Sequence, residues 1–515
     1  MILLSILVNR NISYIKCNVI DINIERHKTA IKRNKVSRPV SLLLESNLLT
    51  QESSFFDYGC GHGQDLTILA KNGFSKIQGY DPYYRPDSQH IKSDIVNLGF
   101  VLNVIEKPNE RSETLKTAYS LANKLLCVSV MTKIQQGYEG ISLGDGVLSS
   151  RGTFQKYYEQ EEIKNYLESL LDKDAIAIAP GIFFIFRYEQ DKLNYLQSRY
   201  KRPVILDYTR IDPISKERTR VKVFKPKLEE LIKESPFFEE TISFLFNHGR
   251  LPTDLESSSY KELIREFKSK TKVKSLLLEN IDQDRLEQIR QSRVTDLLVF
   301  FALRKFDRKG FPKQSDLPEN MVLDIKEFLG TYSNCKREAE NLLFSIGNQT
   351  VMQKSFRACN LGKQLPDAFY IHPSLINKLP APIQVKVGIA KKLVGDIDEC
   401  NLLKINKLKD KVSFLVYEDF DSIAHPALLY TLVMDIPKNN VKFWEFRQRE
   451  NPPILHRKDT FIDEDYPLFD KFKKLTLKEE KFGLLGHNHI GTRLNWEKFL
   501  QEEGFIIKGH QLKKL

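Results

Sequence analysis

The sequence predicts an α/β fold with a mostly parallel sheet at residues 37–190, a helical connecting region at 191–349 and a mixed α+β domain at 350–515. Short apolar runs alternate with amphipathic stretches from Phe55 onward, which is typical of strands and helices in alternation. The chain of 515 residues is also longer than one hydrophobic core normally supports. We therefore expect several domains, preceded by an N-terminal extension with a basic arm at residues 1–36.

The α/β part begins with a helical pattern at Pro39, since proline is well tolerated in the first turn of a helix. Six short apolar runs are predicted as strands, at 54–57, 76–80, 94–97, 124–130, 175–179 and 182–188. Pro180 and Gly181 join the last two runs, and this turn signal predicts a terminal β-hairpin. A short helix is expected at 101–106.

Beyond Tyr188 the sequence is highly charged and carries helical periodicity. The clearest helical stretches are 227–232, 261–267 and 282–305. From about Thr350 the pattern becomes mixed, and strand-like runs follow at 412–417 and 430–435. These patterns predict the helical region and the α+β domain.

The composition is that of an ordinary globular protein with an excess of basic residues. A formal net charge of +12 favours a polyanionic partner, and DNA is the first candidate. The six cysteines are scattered without a C-x-x-C pair, which fits a reducing compartment. No segment approaches the roughly twenty apolar residues that span a bilayer, so we expect a cytoplasmic protein without a membrane partner.

A glycine-rich loop, DYGCGHG, follows the first predicted strand and contains Asp57, Gly59, Gly61 and Gly63. A carboxylate at a strand end, alternating glycines and a following helix let the backbone approach a bulky ligand, while the helix N-terminus offers free N–H groups. The dinucleotide fingerprint G-x-G-x-x-G does not fit, because its third glycine is missing in either register. The spacing favours S-adenosylmethionine over NAD.

An acidic residue at the end of the second predicted strand completes this signal. Asp81 stands about twenty residues after the loop, where a carboxylate can accept hydrogen bonds from both ribose hydroxyls. Together these features predict a Rossmann-like class I methyltransferase domain. Its expected cofactor-binding residues are Asp57, Gly59, Gly61, Gly63 and Asp81.

Methyl transfer is an in-line displacement at a sulfonium methyl, so the protein mainly positions the nucleophile and excludes water. DNA amino-methyltransferases commonly carry Asn or Asp, two prolines and an aromatic residue after the corresponding strand; the carboxamide holds the amino group and the ring stacks on an extruded base. Asn97 and Phe100 occupy the outer positions here, without the prolines. Both are candidate catalytic residues; alternatively, Asn97 caps the next helix and Phe100 belongs to the core.

Other stretches imitate functional motifs. The sequence DPYY at 81–84 coincides with the ribose position, so its rings are expected to flank the adenine, whereas NPPI at 451–454 is expected to form a rigid turn. No Pro-Cys pair occurs, so cytosine C5 methylation by a nucleophilic cysteine finds no support. The histidine pair in 487–489 lacks ligands at metal spacing; we expect a surface turn there and predict no metal dependence.

Basic residues cluster at two places that could contact DNA phosphates. The run RHKTAIKRNKVSR at 26–38 contains no acidic residue, and a second pair of basic residues lies in the C-terminal domain. The candidate nucleic-acid contacts are Lys28, Lys32, Arg33 and Lys35 in the first and Arg457 and Lys458 in the second. A basic arm that is merely solvated is the alternative for the first cluster.

Several motifs together closely resemble the methyltransferases associated with DNA phosphorothioation. They are RHKTA at 26–30, SRPV at 37–40, FFDYGCG at 55–61, VNLGFVLNVIE at 96–106, GDGVL at 144–148, RGTFQK at 151–156 and NPPILHRK at 451–458. The similarity spans most of the chain and is weakest at about 205–350. The form NLGF without prolines is that family's own pattern.

The resemblance implies a methyltransferase that uses S-adenosylmethionine in bacterial systems that replace a non-bridging phosphate oxygen of DNA by sulfur. Its implied partners are DNA, phosphorothioate-modified or destined for modification, and other proteins of the system. It implies neither a particular acceptor nor particular catalytic residues. Two alternatives stay open: a non-catalytic DNA-binding or assembly subunit that binds the cofactor, and a methyltransferase of a small molecule or of a partner protein.

Overall fold

The computed structural model describes residues 24–133, 140–200, 235–397, 399–487 and 490–515. Most of the N-terminal extension, the helix expected at 227–232 and two residues of the expected 487–489 turn lie outside the described residues. None of the helices in the described ranges combines the length and the apolar character needed to cross a bilayer.

The α/β part contains one large sheet and one small sheet. Its strands are β1 (Phe55–Tyr58), β2 (Ile77–Tyr80), β3 (Ser93–Gly99), β4 (Ala122–Ser129), β5 (Ile141–Leu143), β6 (Gly146–Leu148), β7 (Phe154–Gln155), β8 (Ile176–Ala179) and β9 (Ile182–Phe186). Its helices are α1 (Arg38–Glu45), α2 (Gln64–Lys71), α3 (Pro108–Leu121), α4 (Gln160–Leu171) and α5 (Glu189–Tyr200).

The large sheet has the order β2-β1-β3-β4-β9-β8, and β5, β6 and β7 form the small antiparallel sheet. Strands β1 to β4 of the large sheet are parallel, whereas β9 runs antiparallel to β4 and forms the predicted hairpin with β8. Helices cover both faces of the large sheet, so each face has its own buried apolar cluster. Consecutive strand residues point to opposite faces, and Phe55 and Phe56 therefore belong to different clusters.

The helix expected at 101–106 is absent, and the chain forms a turn there. Phe100 adopts a left-handed backbone conformation with φ 59°, which redirects the chain after β3. The residue before Pro108 is extended, and Pro108 opens α3 at a position where its missing N–H costs nothing. The apolar residues at 101–106 are thus packed into the protein by a turn and not by a helix.

The connecting region is helical, as predicted. Its helices are α6 (Phe238–His248), α7 (Ser258–Phe267), α8 (Lys270–Glu279), α9 (Gln283–Lys305), α10 (Glu319–Leu329) and α11 (Tyr332–Ser345). Side chains of Ser257, Ser269, Asp282 and Thr331 accept hydrogen bonds from the first turns of α7, α8, α9 and α11.

The C-terminal part is mixed, and it contains the strands expected at 412–417 and 430–435. Its elements are α12 (Gln349–Arg357), β10 (Lys363–Gln364), β11 (Ala368–Ile371), α13 (Ala381–Val394), β12 (Leu402–Asn406), β13 (Lys411–Tyr417), β14 (Leu428–Asp435), β15 (Asn440–Glu445), α14 (Phe469–Lys481), α15 (Arg493–Glu502), β16 (Phe505–Lys508) and β17 (Gln511–Lys514). Strands β10 to β15 form an antiparallel meander in chain order, and β16 pairs with β17.

The three parts share one apolar core and one close backbone contact. Val40, Phe300 and Val385 belong to the same buried cluster, although they come from the α/β, helical and C-terminal parts. The Asp396 amide, just after α13, donates to the Ile178 carbonyl on β8 at 2.8 Å. The C-terminal part therefore covers the edge strand of the first sheet.

Candidate cofactor cleft

The carboxyl ends of β1, β2 and β3 open onto a cleft of about 920 Å³. Open α/β sheets bind their ligands in this place, because the loops after parallel strands meet at one edge. The walls are the glycine loop, the end of β2, the turn after β3 and the segment 24–33. The structure thus brings the predicted cofactor-binding region together in one cavity.

The glycine loop has the geometry that its sequence suggested. Gly59, Gly61 and Gly63 have φ values of 83°, 53° and 75°, a region that side chains disfavour. A Cβ atom on Gly59 would lie 2.3 Å from Val101, and one on Gly63 would lie 2.5 Å from Arg85. No side chain caps α2, so its N-terminus remains open to an anionic group.

Asp81 is tied to the glycine loop. Its Oδ2 accepts from the Gly61 amide at 3.0 Å, and its Oδ1 accepts from the Tyr83 and Tyr84 amides at 2.9 Å each. A carboxylate has roughly four acceptor positions, so capacity remains for a ribose hydroxyl. Asp81 therefore organises the glycine loop, a role that the sequence pattern did not reveal, in addition to standing where the sequence predicts a ribose contact.

Asp57 lies beneath the loop and is only 4% exposed. Burial and the nearby Asp65 carboxylate raise its pKa to about 7, although the side chain of Asn97 donates to it at 2.9 Å. Asp65 lies in the first turn of α2, lines the cleft and accepts from the Ser37 amide at 2.7 Å. Asp65 therefore presents a carboxylate to the cleft, whereas Asp57, a predicted cofactor-binding residue, lies behind the glycine loop and does not line the cleft.

The two candidate catalytic residues occupy different environments. Phe100 lines the cleft at the carboxyl end of β3. Asn97 is 2% exposed and pairs in register with Asp57 across β1 and β3, so its carboxamide is directed at that carboxyl group. Contrary to expectation, Asn97 does not line the cleft, because its buried carboxamide is engaged by the Asp57 carboxyl group on the neighbouring strand.

The segment 24–33, which we call the strap, forms one wall of the cleft. The Arg26 guanidinium donates to Glu106 at 2.8 and 2.9 Å and also binds Glu110. The His27 ring stacks on Tyr83 with a centroid distance of 4.0 Å. The sequence analysis assigned basic residues of this region to DNA contacts and did not predict that the segment lines the cleft. The RHKTA motif at 26–30 was the sequence feature that could have pointed to this position.

The predicted DNA contacts of the N-terminal run fall into two groups. All four side chains, Lys28, Lys32, Arg33 and Lys35, are exposed, but Lys28 also pairs with Glu25 and Arg33 also lines the cleft. Lys32 and Lys35 match the exposed arm that the prediction assumed, whereas Lys28 and Arg33 have additional contacts with the strap and the cleft.

The second predicted DNA surface requires a correction. Lys458 is 3% exposed, and its ammonium donates to the carbonyls of Phe420 and Ile423 at 2.5 and 2.7 Å. Arg457 pairs with Glu480. Lys458 as a phosphate contact is therefore wrong, because its charge is enclosed by the protein.

No protein-family model and no curated protein matches the chain. Solved methyltransferases are among the structures to which the chain is similar. The 1,6-didemethyltoxoflavin-N1-methyltransferase of Burkholderia thailandensis, solved with S-adenosylhomocysteine, is 14% identical over 29% of this chain and 76% of its own, with a TM-score of 0.23. A SAM-dependent methyltransferase of Methanosarcina mazei is 12% identical over 28% and 94%, with a TM-score of 0.22.

The third is the magnesium protoporphyrin IX methyltransferase of Synechocystis PCC 6803, solved with bound SAH. It is 14% identical over 32% of this chain and 93% of its own, with a TM-score of 0.22. The assignment of the fold rests on the strand order and on the glycine loop after β1. Residues 38–200 have a Rossmann-like α/β fold.

Proposed function

We propose that the chain is an S-adenosylmethionine-dependent methyltransferase of a bacterial DNA phosphorothioation system. One observation supports this cofactor: two left-handed glycines after β1, Gly59 and Gly61, line the same cleft as the carboxylate after β2, and the Gly61–Asp81 hydrogen bond joins the two parts. This pairing of a close backbone approach with a ribose acceptor is the recognition chemistry of an adenosyl group.

The residues present fit this cofactor. The cleft volume lies within the range of about 300 to 1,000 Å³ that is typical of small-molecule sites. Asp81 would hold the ribose, Tyr83 and Tyr84 would flank the adenine, and the Asp65 carboxylate in the cleft wall suits a cationic ligand. The cofactor supplies an electrophilic methyl group; the chain's residues bind it, orient the acceptor and exclude water.

The link to DNA is supported by the resemblance to phosphorothioation-associated methyltransferases and by the net charge of +12. We expect an exocyclic amino nitrogen, adenine N6 or cytosine N4, as the acceptor. Cys60 is the cysteine of the glycine loop, and burial raises its pKa to about 12, so it remains a neutral thiol. Phe100 offers a ring on which an extruded base can stack.

A second candidate function is the methylation of a small molecule or a protein side chain. The strap favours it, because Arg26 and His27 close one side of the cleft and reduce the room for a DNA strand. A non-catalytic subunit that binds the cofactor is the remaining alternative.

The test combines calorimetry with labelled S-adenosylmethionine. The full chain is incubated with plasmid DNA, with and without phosphorothioate, and the nucleosides are analysed. Label in a base supports the DNA proposal, label in protein supports the second candidate, and binding without transfer supports the non-catalytic subunit. Undetectable binding at millimolar cofactor would refute the cofactor assignment.

A matched pair of variants tests the site itself. Asp81→Ala should weaken cofactor binding by about 1.5 to 3 kcal/mol, since charge-assisted hydrogen bonds to the ribose are removed. Asp87→Ala, at an exposed position on the same loop, should bind like the wild type. Equal affinities of the two variants would remove Asp81 from the ribose site.

A further inference from the structure

Three side chains from distant parts of the C-terminal domain meet around one interior point. They are His425, His456 and Glu479, and their potential ligand atoms all lie within 4.8 Å of one another. Glu479 comes from α14, whereas the histidines lie before β14 and after the NPPI sequence. The side chains of His425 and Glu479 are only 7% and 1% exposed. This cluster is remote in sequence from the cofactor cleft.

The cluster contains lone pairs without hydrogen-bond donors. His456 Nε2 lies 2.8 Å from the Ile490 carbonyl oxygen, so Nε2 carries the proton and Nδ1 presents a lone pair. Nδ1 of His456 and Oε1 of Glu479 are both buried and lack a hydrogen-bond partner. His425 Nε2 lies 3.0 Å from that carboxylate oxygen without hydrogen-bond geometry. Such orphaned buried acceptors are costly unless a cation satisfies them.

We propose that His425, His456 and Glu479 bind a divalent transition-metal ion of the zinc class. Two imidazole nitrogens and one carboxylate form a ligand set that suits zinc, whereas magnesium and calcium favour oxygen ligands. Tetrahedral ligands at about 2.1 Å from zinc stand roughly 3.4 Å apart, so small side-chain movements complete the site. Three protein ligands leave one coordination position open.

The surroundings of the cluster fit a metal site. The Ile490 carbonyl fixes the tautomer of His456, which is the common outer-shell arrangement of a metal-binding histidine. The Trp496 ring meets the two imidazoles edge to face, at centroid distances of 5.1 and 4.7 Å. His425 and Trp496 also line an open cavity of about 1,030 Å³. This cavity provides a route by which the ion and a water ligand enter.

The experiment uses the full chain, freed of metal by chelator and then titrated with Zn²⁺ or Co²⁺. The wild type should bind one equivalent, gain thermal stability with Zn²⁺, and give a visible Co²⁺ spectrum of tetrahedral type. Glu479→Gln and His456→Gln should each weaken Zn²⁺ binding at least about tenfold. His487→Ala removes an exposed histidine of the same domain and should bind Zn²⁺ like the wild type.

Absence of Zn²⁺ binding by the folded wild type overturns the proposal, as does unchanged binding by both cluster variants. If these variants do not fold, X-ray absorption of the zinc-loaded wild type decides. A zinc ion bound by two imidazoles, with only nitrogen and oxygen as ligand atoms, supports the proposed site. A zinc ion bound by fewer than two imidazoles, or by any sulfur atom, overturns it. None of these readouts depends on methyl transfer.

Discussion

A few polar side chains lie behind the glycine loop and support it. Asn97 supplies a hydrogen bond to Asp57, and Asp65 places a second carboxylate nearby. The sequence analysis predicted Asp57 as a cofactor-binding residue and Asn97 as a catalytic residue, and it did not predict a contact between them. Their contact could not be read from the motif, because it depends on the register between β1 and β3, which are about forty residues apart.

Asp57 makes stability depend on pH. Its folded-state pKa of about 7 lies above the ordinary value of 3.8. As pH rises, the unfolded state therefore loses this proton at a lower pH than the folded state does. The free energy of unfolding should therefore fall as pH rises from about 4 to about 7, by at most about 4 kcal/mol from this group. Asp57→Asn should flatten this part of the profile in urea titrations of the cofactor-free protein.

Asp87→Asn, at an exposed site, provides the control and should keep the slope. The assignment of a protonated carboxyl group to Asp57 would be contradicted by two results together. The free energy of unfolding of the wild type would rise over this pH range, and Asp57→Asn would leave the profile unchanged.

Phe100 combines a position in the cleft wall with a disfavoured backbone conformation. Its φ of 59° costs about 1 kcal/mol or more for a residue with a side chain. Phe100→Gly and Phe100→Ala both remove the ring, so the difference between them isolates this cost. We expect the glycine variant to be more stable by about 1 kcal/mol in chemical denaturation, with turnover impaired in both. Greater stability of the alanine variant would show that the conformation is unstrained.

At the scale of elements, local patterns predicted most of the structure. The strands of the large sheet and the helix at 282–305 were found because each is a continuous apolar run or a long periodic segment. The turn after Phe100 was mistaken for a helix, since its apolar residues have no periodicity that distinguishes the two. The sequence analysis did not predict the cluster of His425, His456 and Glu479, because these residues are far apart in the sequence and only tertiary packing brings them together.

Arg26 ties the strap to the turn after β3 and to the start of α3 through Glu106 and Glu110. Arg26→Ala removes the contacts with Glu106 and Glu110 and should loosen the segment by about 1 kcal/mol, the order expected of partly exposed ion pairs. Hydrogen exchange of amides 26–30 should become several-fold faster, and bound cofactor should dissociate sooner. Arg38→Ala, which breaks the exposed pair with Glu45, should leave both rates unchanged.

Equal exchange rates in the wild type and in Arg26→Ala would mean that the ring contacts of His27 hold the strap without Arg26.

At the scale of the whole molecule, the excess positive charge predicts salt-dependent DNA binding. Replacing Lys28, Lys32 and Lys35 by glutamine should reduce the slope of log affinity against log salt by up to about 0.9 for each DNA phosphate that is no longer neutralised. Arg33 stays unchanged in this variant because it lines the cleft. Electrophoretic or fluorescence titrations at several salt concentrations measure the slope, and an unchanged slope would move the DNA surface away from this arm.

The contact between Asp396 and β8 has a consequence for synthesis of the chain. The strand containing Ile178 leaves the ribosome roughly 220 residues before the amide that covers its edge. At about 5 to 20 residues per second, the nascent chain carries an uncovered strand edge for roughly 10 to 40 s. Neighbouring polypeptides on one messenger RNA can pair through such an edge, so we expect faster translation and chaperone access during this interval to raise the yield of native protein.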